Sequence, residues 1–189
     1  VIVGGGLKSD NAAVYRAFLD ARPQGAPGIV IIPAASGEAS ASAKAARDAM
    51  VKYGASAADI VIAQIAMKDD PGTRTIDEGR WARNVDSQAE LSELKNAGAI
   101  WFTGGDQSRI TGLLLTQDGK DTPYLAAIRA RYAAGAVIGG TSAGAAIMSG
   151  AMLTKGDSIG ALLPGNAGEE IGLARGLHFL RSNFIDQHF

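Results

Sequence analysis

Short apolar runs recur along the chain, and longer alanine-rich and polar stretches separate them. A short continuous apolar run bounded by glycine or proline is typical of a strand that is buried on both faces of a parallel sheet. The last of these runs leads directly into a glycine-rich segment. The runs that predict strands cover residues 1–3, 28–33, 60–65, 99–102 and 136–138.

The stretches between these runs carry the end signals of helices. Asp10 and Asp106 are typical N-cap residues, and Pro123 is suited to a first helical turn. Ser87 and Glu90 form the pattern of a capping box. Strands that alternate with helices predict a parallel sheet with helices on both faces. The predicted helices cover residues 11–21, 39–53, 88–98, 107–115, 123–134 and 143–148.

Two other stretches lack this regular alternation. Residues 67–84 are rich in charges and turn residues, which predicts a solvated loop with a short helix around 77–83. After Met148, recurring glycines favour short strands or loops. We expect a further strand over residues 177–189.

A glycine triplet at residues 4–6 follows the first predicted strand, as in many nucleotide-binding folds. The dinucleotide fingerprint G-x-G-x-x-G requires a glycine at position 9, where this chain has Ser9. No acidic residue ends the second strand as a ribose partner. The triplet therefore predicts a glycine turn at a strand end, without a nucleotide cofactor.

The pattern G-x-S-x-G occurs at Ser142, with Gly140 two residues before it and Gly144 two residues after it. In a nucleophile elbow the serine occupies a cramped turn between a strand and a helix, and side chains at the flanking positions would obstruct that turn. The context fits, because an apolar run precedes the serine and a helical stretch follows it. The pattern predicts a nucleophilic Ser142 at the carboxyl edge of the sheet, and the alternative is a glycine-rich structural turn.

A serine hydroxyl needs a base to remove its proton, and histidine is the usual one. The chain has two histidines, and both follow the serine, as in elbow hydrolases. His178 lies among apolar residues, which is typical of a structural histidine. His188 lies in a polar cluster with Asp186 and Gln187, so His188 is the predicted general base.

An acyl-transfer site also needs N–H donors for the oxyanion. The residue that follows the nucleophile supplies one, and here it is Ala143. Gly104 and Gly105 end the adjacent predicted strand at the same sheet edge, where bare backbone lets N–H groups approach a reacting carbonyl. A structural turn alone would also explain these two glycines.

Composition and charge exclude several classes of function. The formal net charge is −1, from 18 basic and 19 acidic residues, so the chain lacks the basic character of proteins that bind nucleic acids or membrane surfaces. No apolar run approaches the ~20 residues that span a bilayer. The chain has no cysteine, which excludes thiol catalysis and zinc–thiolate sites. It begins at Val1, inside a strand-like run, so a removed secretory signal and a secreted or periplasmic location are favoured over the cytoplasm.

Three motifs together resemble the cyanophycinases, which are serine peptidases of family S51. They are Phe-Thr-Gly-Gly-Asp-Gln at 102–107, Gly-Thr-Ser-Ala-Gly-Ala at 140–145 and Asp-Gln-His-Phe at 186–189, in the order and rough spacing of the family. Residues 4–6 and 10–11 resemble the family as well. The resemblance implies a three-layer, mostly parallel α/β sandwich that is flavodoxin-like and of the class I glutamine-amidotransferase-like type.

The resemblance also implies a reaction. Its substrate would be cyanophycin, a polyaspartate that carries arginine on each β-carboxyl, and its products would be β-Asp-Arg dipeptides. It implies no metal or other cofactor, and it implies a homodimer. The implied roles are nucleophile for Ser142, general base for His188, oxyanion donors for Gly105 and Ala143, and substrate contacts for Asp106, Gln107, Asp186 and Gln187.

The acid of the catalytic triad stays open. In the family an arginine-rich stretch and a glutamate follow the histidine, and this chain has neither. The candidates are Asp157, Asp186 and a carboxylate beyond residue 189. We therefore expect the single α/β domain of residues 1–189 to lack a carboxyl-terminal segment, which is disordered, left out of this sequence or supplied by a second fragment of the same precursor. The alternatives to a cyanophycinase are an isoaspartyl or aspartyl dipeptidase of the same family and a non-catalytic binding module on this fold.

Overall fold

Five parallel strands form the central sheet of the computed structural model, which describes residues 1–156 and 171–187. The strand order is β1-β5-β4-β2-β3, and each neighbouring pair is parallel. All carboxyl ends therefore meet at one edge, where the residues that follow the strands can form a common site. The strands are β1 Ile2–Val3, β2 Gly28–Ile32, β3 Ile60–Ile62, β4 Ala97–Phe102 and β5 Val137–Thr141.

Helices cover both faces of this sheet, so the predicted α/β sandwich is confirmed. Because successive side chains of a strand point to opposite faces, Trp101 and Phe102 belong to two different buried clusters. We call the two sides the Trp101 face and the Phe102 face. The Trp101 face packs against α1 Ala12–Asp20 and α2 Ala39–Lys52, and the Phe102 face packs against α3 Gln88–Leu94, α4 Gln107–Leu114, α5 Pro123–Ala133 and α6 Ala143–Ala146.

Shorter elements complete the described part of the chain. Two 3-10 helices span Ala57–Asp59 and Glu78–Asp86, and the second stands near the short helix predicted around 77–83. An antiparallel pair, β6 Ala151–Lys155 and β7 Gly172–Arg175, agrees with the short strands predicted after Met148. Within residues 1–156 and 171–187, none of the helices combines the length and apolarity needed to span a bilayer.

Residues 67–84 form more contacts with the rest of the fold than the predicted solvated loop would. Most of its side chains are exposed, but Asp70 and Glu78 are buried. Asp70 accepts a hydrogen bond from the Ala41 N–H in the first turn of α2, at 3.0 Å, and Glu78 accepts one from the Ser40 hydroxyl. Buried carboxylates require such partners. The two acidic residues therefore fix this stretch to the start of α2.

Two helix caps differ from the predictions. Asn11 rather than Asp10 caps α1, and its Oδ1 accepts a backbone N–H of the first turn at 3.3 Å. Ser87 makes no side-chain cap bond, so the predicted capping box is wrong. Glu90 Oε2 instead accepts the Gln64 N–H at 3.0 Å, because the backbone that leaves β3 needs an acceptor there.

The strand predicted over residues 177–189 is wrong for its described part, which ends at residue 187. His178 has a φ of 57°, which lies outside the extended region and interrupts a strand. The Leu177 N–H donates to the Ile147 carbonyl at 2.7 Å. The segment therefore lies against the residues that follow α6 and does not extend the sheet.

Candidate active site

Ser142 joins β5 to α6 in a backbone conformation that few non-glycine residues adopt. Its φ is 52° and its ψ is −116°. Such a conformation costs about 1–3 kcal/mol, so the surrounding structure must hold it. The Ser142 N–H donates to the Val3 carbonyl at 2.9 Å, and the Ser142 carbonyl accepts from Ala145 and Ala146 at 2.8 and 2.9 Å. These bonds fix a strand-to-helix turn with the geometry of a nucleophile elbow.

Close packing requires the two flanking glycines. A Cβ on Gly140 would lie closer than 3.0 Å to the carbonyl of Gly144. A Cβ on Gly144 would lie closer than 3.0 Å to the carbonyl of Phe102 in β4. Both obstacles are backbone atoms, so no side-chain movement could relieve the contact. The G-x-S-x-G pattern therefore reflects a steric demand of this turn.

A second glycine turn, at Gly104 and Gly105, lies beside Ser142 at the end of β4. A Cβ on Gly104 would lie 3.3 Å from Ser142 Cβ and 3.9 Å from its Oγ. Gly105 has a φ of 140°, and a Cβ there would lie closer than 3.0 Å to the Ala35 carbonyl. The Asp106 N–H donates to the same carbonyl at 3.0 Å, which fixes the turn to the loop after β2. The bare backbone of this turn is thus held next to the serine.

Asp106 caps α4, as predicted. Its carboxylate accepts the Ser108 N–H at 2.9 Å, and Arg109 Nε lies 3.7 Å from its Oδ2. The pKa of Asp106 lies below its ordinary value, chiefly because the Ser108 hydroxyl also donates to the carboxylate. The half-exposed side chain therefore carries a negative charge at neutral pH beside the second glycine turn.

Three of the predicted substrate residues, Gln107, Asp186 and Gln187, line one cavity of about 200 Å³. We call it the Gln107 cavity. Gln107 Nε2 donates to the Leu153 carbonyl in β6. Gln187 Oε1 is buried and has no hydrogen-bond partner among the described residues. Lys155 also lines this cavity, which therefore combines an acidic, a basic and two amide side chains.

Hydrogen bonds along the carboxyl-terminal segment bring Asp186 and Gln187 to this cavity. The Ile185 N–H donates to Ser149 Oγ at 2.9 Å. Ser149 is buried a few residues after α6. The residues that directly follow α6 thus also fix the path of the last described residues.

The first of the two histidines, His178, lies beside the same residues after α6. A Cβ on Gly150 would lie 2.5 Å from His178 Nδ1, and the His178 N–H donates to the Ser149 carbonyl at 3.0 Å. The predicted base His188 and the candidate acid Asp157 lie outside the described residues. Within the described ranges, no group of three or more His, Asp or Glu side chains could hold a metal ion.

Sequence reasoning missed two threonines beside the elbow. Thr103 follows β4 and Thr141 ends β5, and each hydroxyl is buried without a hydrogen-bond partner in the described part of the chain. The alternation of side chains along these two strands was the signal that could have placed them with Trp101.

A larger cavity, of about 610 Å³, lies at the opposite edge of the sheet, around the start of β2, and contains none of the predicted site residues.

Fold and site together define a class of protein: a parallel α/β sandwich that carries a serine elbow after a central strand and a glycine turn beside it. A family model described as Peptidase family S51 matches residues 81–188, which is more than half of the chain. The chain therefore belongs to peptidase family S51. The resemblance that rested on three short motifs is confirmed.

Curated relatives agree with this assignment. The cyanophycinase of Geminocystis herdmanii is 44% identical over 97 residues, which cover 51% of this chain and 32% of the relative. The cyanophycinase of Synechococcus elongatus is 35% identical over 123 residues, which cover 64% of this chain and 35% of the relative. The chain thus spans about a third of the length of these relatives.

The crystal structure of a peptidase from an acI-B1 Actinobacterium matches the fold with a TM-score of 0.62 at 17% identity. The match covers 93% of this chain and 62% of that one. This likeness supports the predicted class I glutamine-amidotransferase-like fold.

Proposed function

We propose that this chain supplies the nucleophile of a serine exopeptidase that hydrolyses cyanophycin to β-Asp-Arg dipeptides. The observation that carries the proposal is the conformation of Ser142, with its φ of 52° between two glycines that the packing requires. A strained serine at the carboxyl edge of a parallel sheet is the arrangement by which elbow hydrolases present a nucleophile. Membership of a peptidase family supports peptide-bond hydrolysis as the reaction, and the cyanophycinase relatives suggest the substrate.

The proposed chemistry has two steps. Ser142 Oγ attacks the carbonyl carbon of the scissile amide while a base takes the hydroxyl proton. The tetrahedral intermediate collapses, the C–N bond breaks, and the base returns the proton to the leaving amine. Water, activated by the same base, then attacks the ester, which releases the carboxylate product and restores the serine.

We assign the stabilisation of the oxyanion to the N–H groups of Gly105 and Ala143. Ala143 follows the nucleophile directly and begins α6. The Gly104 position is within 4 Å of Ser142 Oγ, so the turn that contains Gly105 lies close enough to contribute a second donor. Removal of one such donor lowers kcat about 10²–10³-fold.

We assign the general base to His188, which follows two residues that line the Gln107 cavity. Its orienting acid is Asp157, Asp186 or a carboxylate beyond residue 189. His188→Ala should lower kcat about 10³-fold or more, and His178→Ala should keep activity within about tenfold. Steady-state hydrolysis by both variants measures this difference. The opposite ranking would transfer the role to His178.

The Gln107 cavity supports the proposed substrate. A β-Asp-Arg unit carries both a guanidinium and carboxylates. The cavity offers the Asp186 carboxylate, the Lys155 amine and two amide side chains, which are the groups that bind such charges. We therefore propose that Gln107, Asp186 and Gln187, with Asp106 at the edge of the site, contact the substrate.

A substrate panel tests the proposed function. We expect the full-length protein to release β-Asp-Arg from cyanophycin and to leave free β-Asp-Arg and Asp-Leu intact, with Ser142→Ala as the inactive control. Hydrolysis of β-Asp-Arg would indicate an isoaspartyl dipeptidase, and hydrolysis of Asp-Leu an aspartyl dipeptidase. Binding of cyanophycin without any hydrolysis would indicate a binding module.

The homodimer implied by the family also stays a prediction. Light scattering of the full-length protein at micromolar concentration should give twice the mass of one chain. The mass of a single chain would contradict it.

A further inference from the structure

A second cavity, of about 230 Å³, lies on the Trp101 face of the sheet, at the edge that carries Ser142. The Gln107 cavity begins at α4, which belongs to the Phe102 face. The two cavities therefore lie on opposite faces of the sheet. We call the second one the Trp101 cavity, and the residues that matter for it are Tyr15, Ser42, Ala46, Trp101, Thr103 and Thr141.

The Trp101 cavity reaches the serine through Gly104, which is part of its lining. The Cβ position of Gly104 is 3.5 Å from the Thr141 carbonyl and 3.9 Å from Ser142 Oγ. Because Gly104 has no side chain, it leaves this space open. A side chain at Gly104 would stand beside Ser142 Oγ, at the border of the cavity.

Two buried hydroxyls of this cavity, Thr103 Oγ1 and Thr141 Oγ1, have no hydrogen-bond partner among the described residues. Thr103 is only 4% exposed. In the register of β4 and β5, Trp101 is opposite Gly139, so two residues further along Thr103 and Thr141 share the Trp101 face. Buried polar groups are normally paired, and an unpaired one destabilises the fold. Two of them on neighbouring strands, in residues that line the cavity, can bond to a ligand there once the side chains rotate about χ1 and bring the oxygens to the cavity surface.

The lining of the cavity indicates what kind of group it binds. Its lining residues have aromatic, aliphatic and hydroxyl side chains and no charged one. A guanidinium or carboxylate buried here would lack a counter-charge, which is costly. A peptide amide carries no charge and offers one acceptor and one donor, and a threonine hydroxyl can bond to either. Pockets that hold a whole small-molecule ligand usually have volumes of roughly 300 Å³ or more. This cavity is smaller, so it suits one part of a substrate.

We propose that the Trp101 cavity is a substrate subsite for an uncharged main-chain amide of the peptide, on the other side of the scissile bond from the group held in the Gln107 cavity. This inference rests on the proposed peptidase function and deepens it. Thr103 and Thr141 recognise the main chain, while the charged side groups of the substrate stay outside this cavity.

Thr103→Val tests the subsite, because valine keeps the shape of threonine and removes the hydroxyl. For a soluble oligomer of β-Asp-Arg units, we expect KM to rise about three- to tenfold and kcat to stay within about twofold. Removal of an unpaired buried hydroxyl should leave the stability of the protein unchanged or raise it. A merely structural role would not combine a higher KM with undiminished stability.

Thr122→Val is the matched control. The Thr122 hydroxyl is also buried, but it donates to the Leu114 carbonyl at 3.0 Å, away from both cavities. We expect this variant to lose stability and to keep its KM. Ala46→Leu is a second test, because it narrows the cavity from α2 with a residue that favours helix, and it should also raise KM.

The outcomes separate this inference from the function on which it rests. If the unmodified protein hydrolyses the oligomer and both Thr103→Val and Ala46→Leu keep its KM, the subsite is overturned and the peptidase function stands. If the unmodified protein hydrolyses no substrate, the proposed function fails, and the subsite fails with it. A raised KM in both variants, with an unchanged KM in Thr122→Val, supports the subsite.

Discussion

Two glycine-rich turns lie side by side at the carboxyl edge of the sheet, and their glycines serve different purposes. A Cβ on Gly4 or Gly6, after β1, would meet no atom within 4 Å. A Cβ on Gly140 or Gly144, around the turn after β5, would meet backbone atoms closer than 3.0 Å. The strands are neighbours, and the Ser142 N–H donates to the Val3 carbonyl between them.

This difference shows that glycine content alone does not mark a functional turn. The amino-terminal turn connects a strand to a helix and has open space around Gly4 and Gly6, although the φ of 60° at Gly6 is one that L side chains rarely adopt. The turn at Ser142 is packed so closely that it can hold a serine at a positive φ, which a loose turn would release. Close packing therefore distinguishes the turn that we propose presents the nucleophile from the amino-terminal turn.

The largest expected effect is on activity in Ser142→Ala. Loss of the hydroxyl should lower kcat/KM about 10⁴-fold or more. The free energy of unfolding should stay unchanged, because the glycines and backbone bonds that shape the turn remain. Steady-state hydrolysis and urea unfolding measure the two quantities. Activity within tenfold of the unmodified protein would make this turn a connection like the amino-terminal one.

Gly144→Ala compared with Gly4→Ala tests the packing itself. The new Cβ at Gly144 must displace the Phe102 carbonyl of β4. It should therefore lower the free energy of unfolding by about 1–3 kcal/mol, and a misplaced serine should lower kcat about 10²-fold. Gly4→Ala should keep activity and keep or slightly raise stability. Equal effects of the two substitutions on stability and rate would remove the distinction between the turns.

Glu78→Gln tests a carboxylate that stabilises the fold, unlike the carboxylates of the candidate site, for which we propose contacts with the substrate. Burial opposes ionisation of Glu78, but hydrogen bonds from Ser40 and Thr73 outweigh it and lower its pKa from 4.5 to about 2. The contribution of ionised Glu78 to stability is therefore complete above pH 4.5 and is lost as the pH falls toward 2. We expect Glu78→Gln to cost about 1–3 kcal/mol at neutral pH, with a smaller difference in acid.

Urea unfolding across the acid range measures that difference. Glu93→Gln is the control, because Glu93 is exposed and its loss should change stability by no more than about 0.5 kcal/mol. A cost of Glu78→Gln that is the same at every pH would contradict the role of its ionised form.

The smallest expected effect concerns the helix that follows the amino-terminal turn. Asn11→Ala removes the side chain that caps α1 and should cost about 1 kcal/mol of stability, without loss of activity. Asp10→Ala should be nearly neutral. Thermal unfolding of the two variants measures how much each residue stabilises α1. A larger loss of stability in Asp10→Ala than in Asn11→Ala would show that Asp10 is the cap, as the sequence predicted.

Local patterns were sufficient to predict a parallel sheet, the succession of strands and helices along the chain, and the turn at Ser142. The apolar run of β2 is continuous because the strand is buried on both faces. The glycines around Ser142 act within a few residues of it, so their spacing carries the geometry of the turn. Asp106 was predictable as a cap for the same reason, since its partner Ser108 is two residues away.

Contacts between distant parts of the chain could not be predicted in this way. Glu90 bonds to Gln64, far back in the sequence, and so leaves the capping box unformed. Thr103 and Thr141 become neighbours only because β4 and β5 pair in one register. The role of His188 stays a prediction, since that residue lies outside the described part of the chain.

Covalent labelling of the full-length protein with a serine-directed phosphonate, followed by peptide mass spectrometry, tests the reactivity of Ser142 most directly. We expect one adduct, on Ser142, with slower labelling in Gly144→Ala, an unchanged rate in Gly4→Ala and no adduct in Ser142→Ala. An unlabelled Ser142, or labelling of another serine that persists in Ser142→Ala, would contradict the assignment of this turn as a nucleophile elbow.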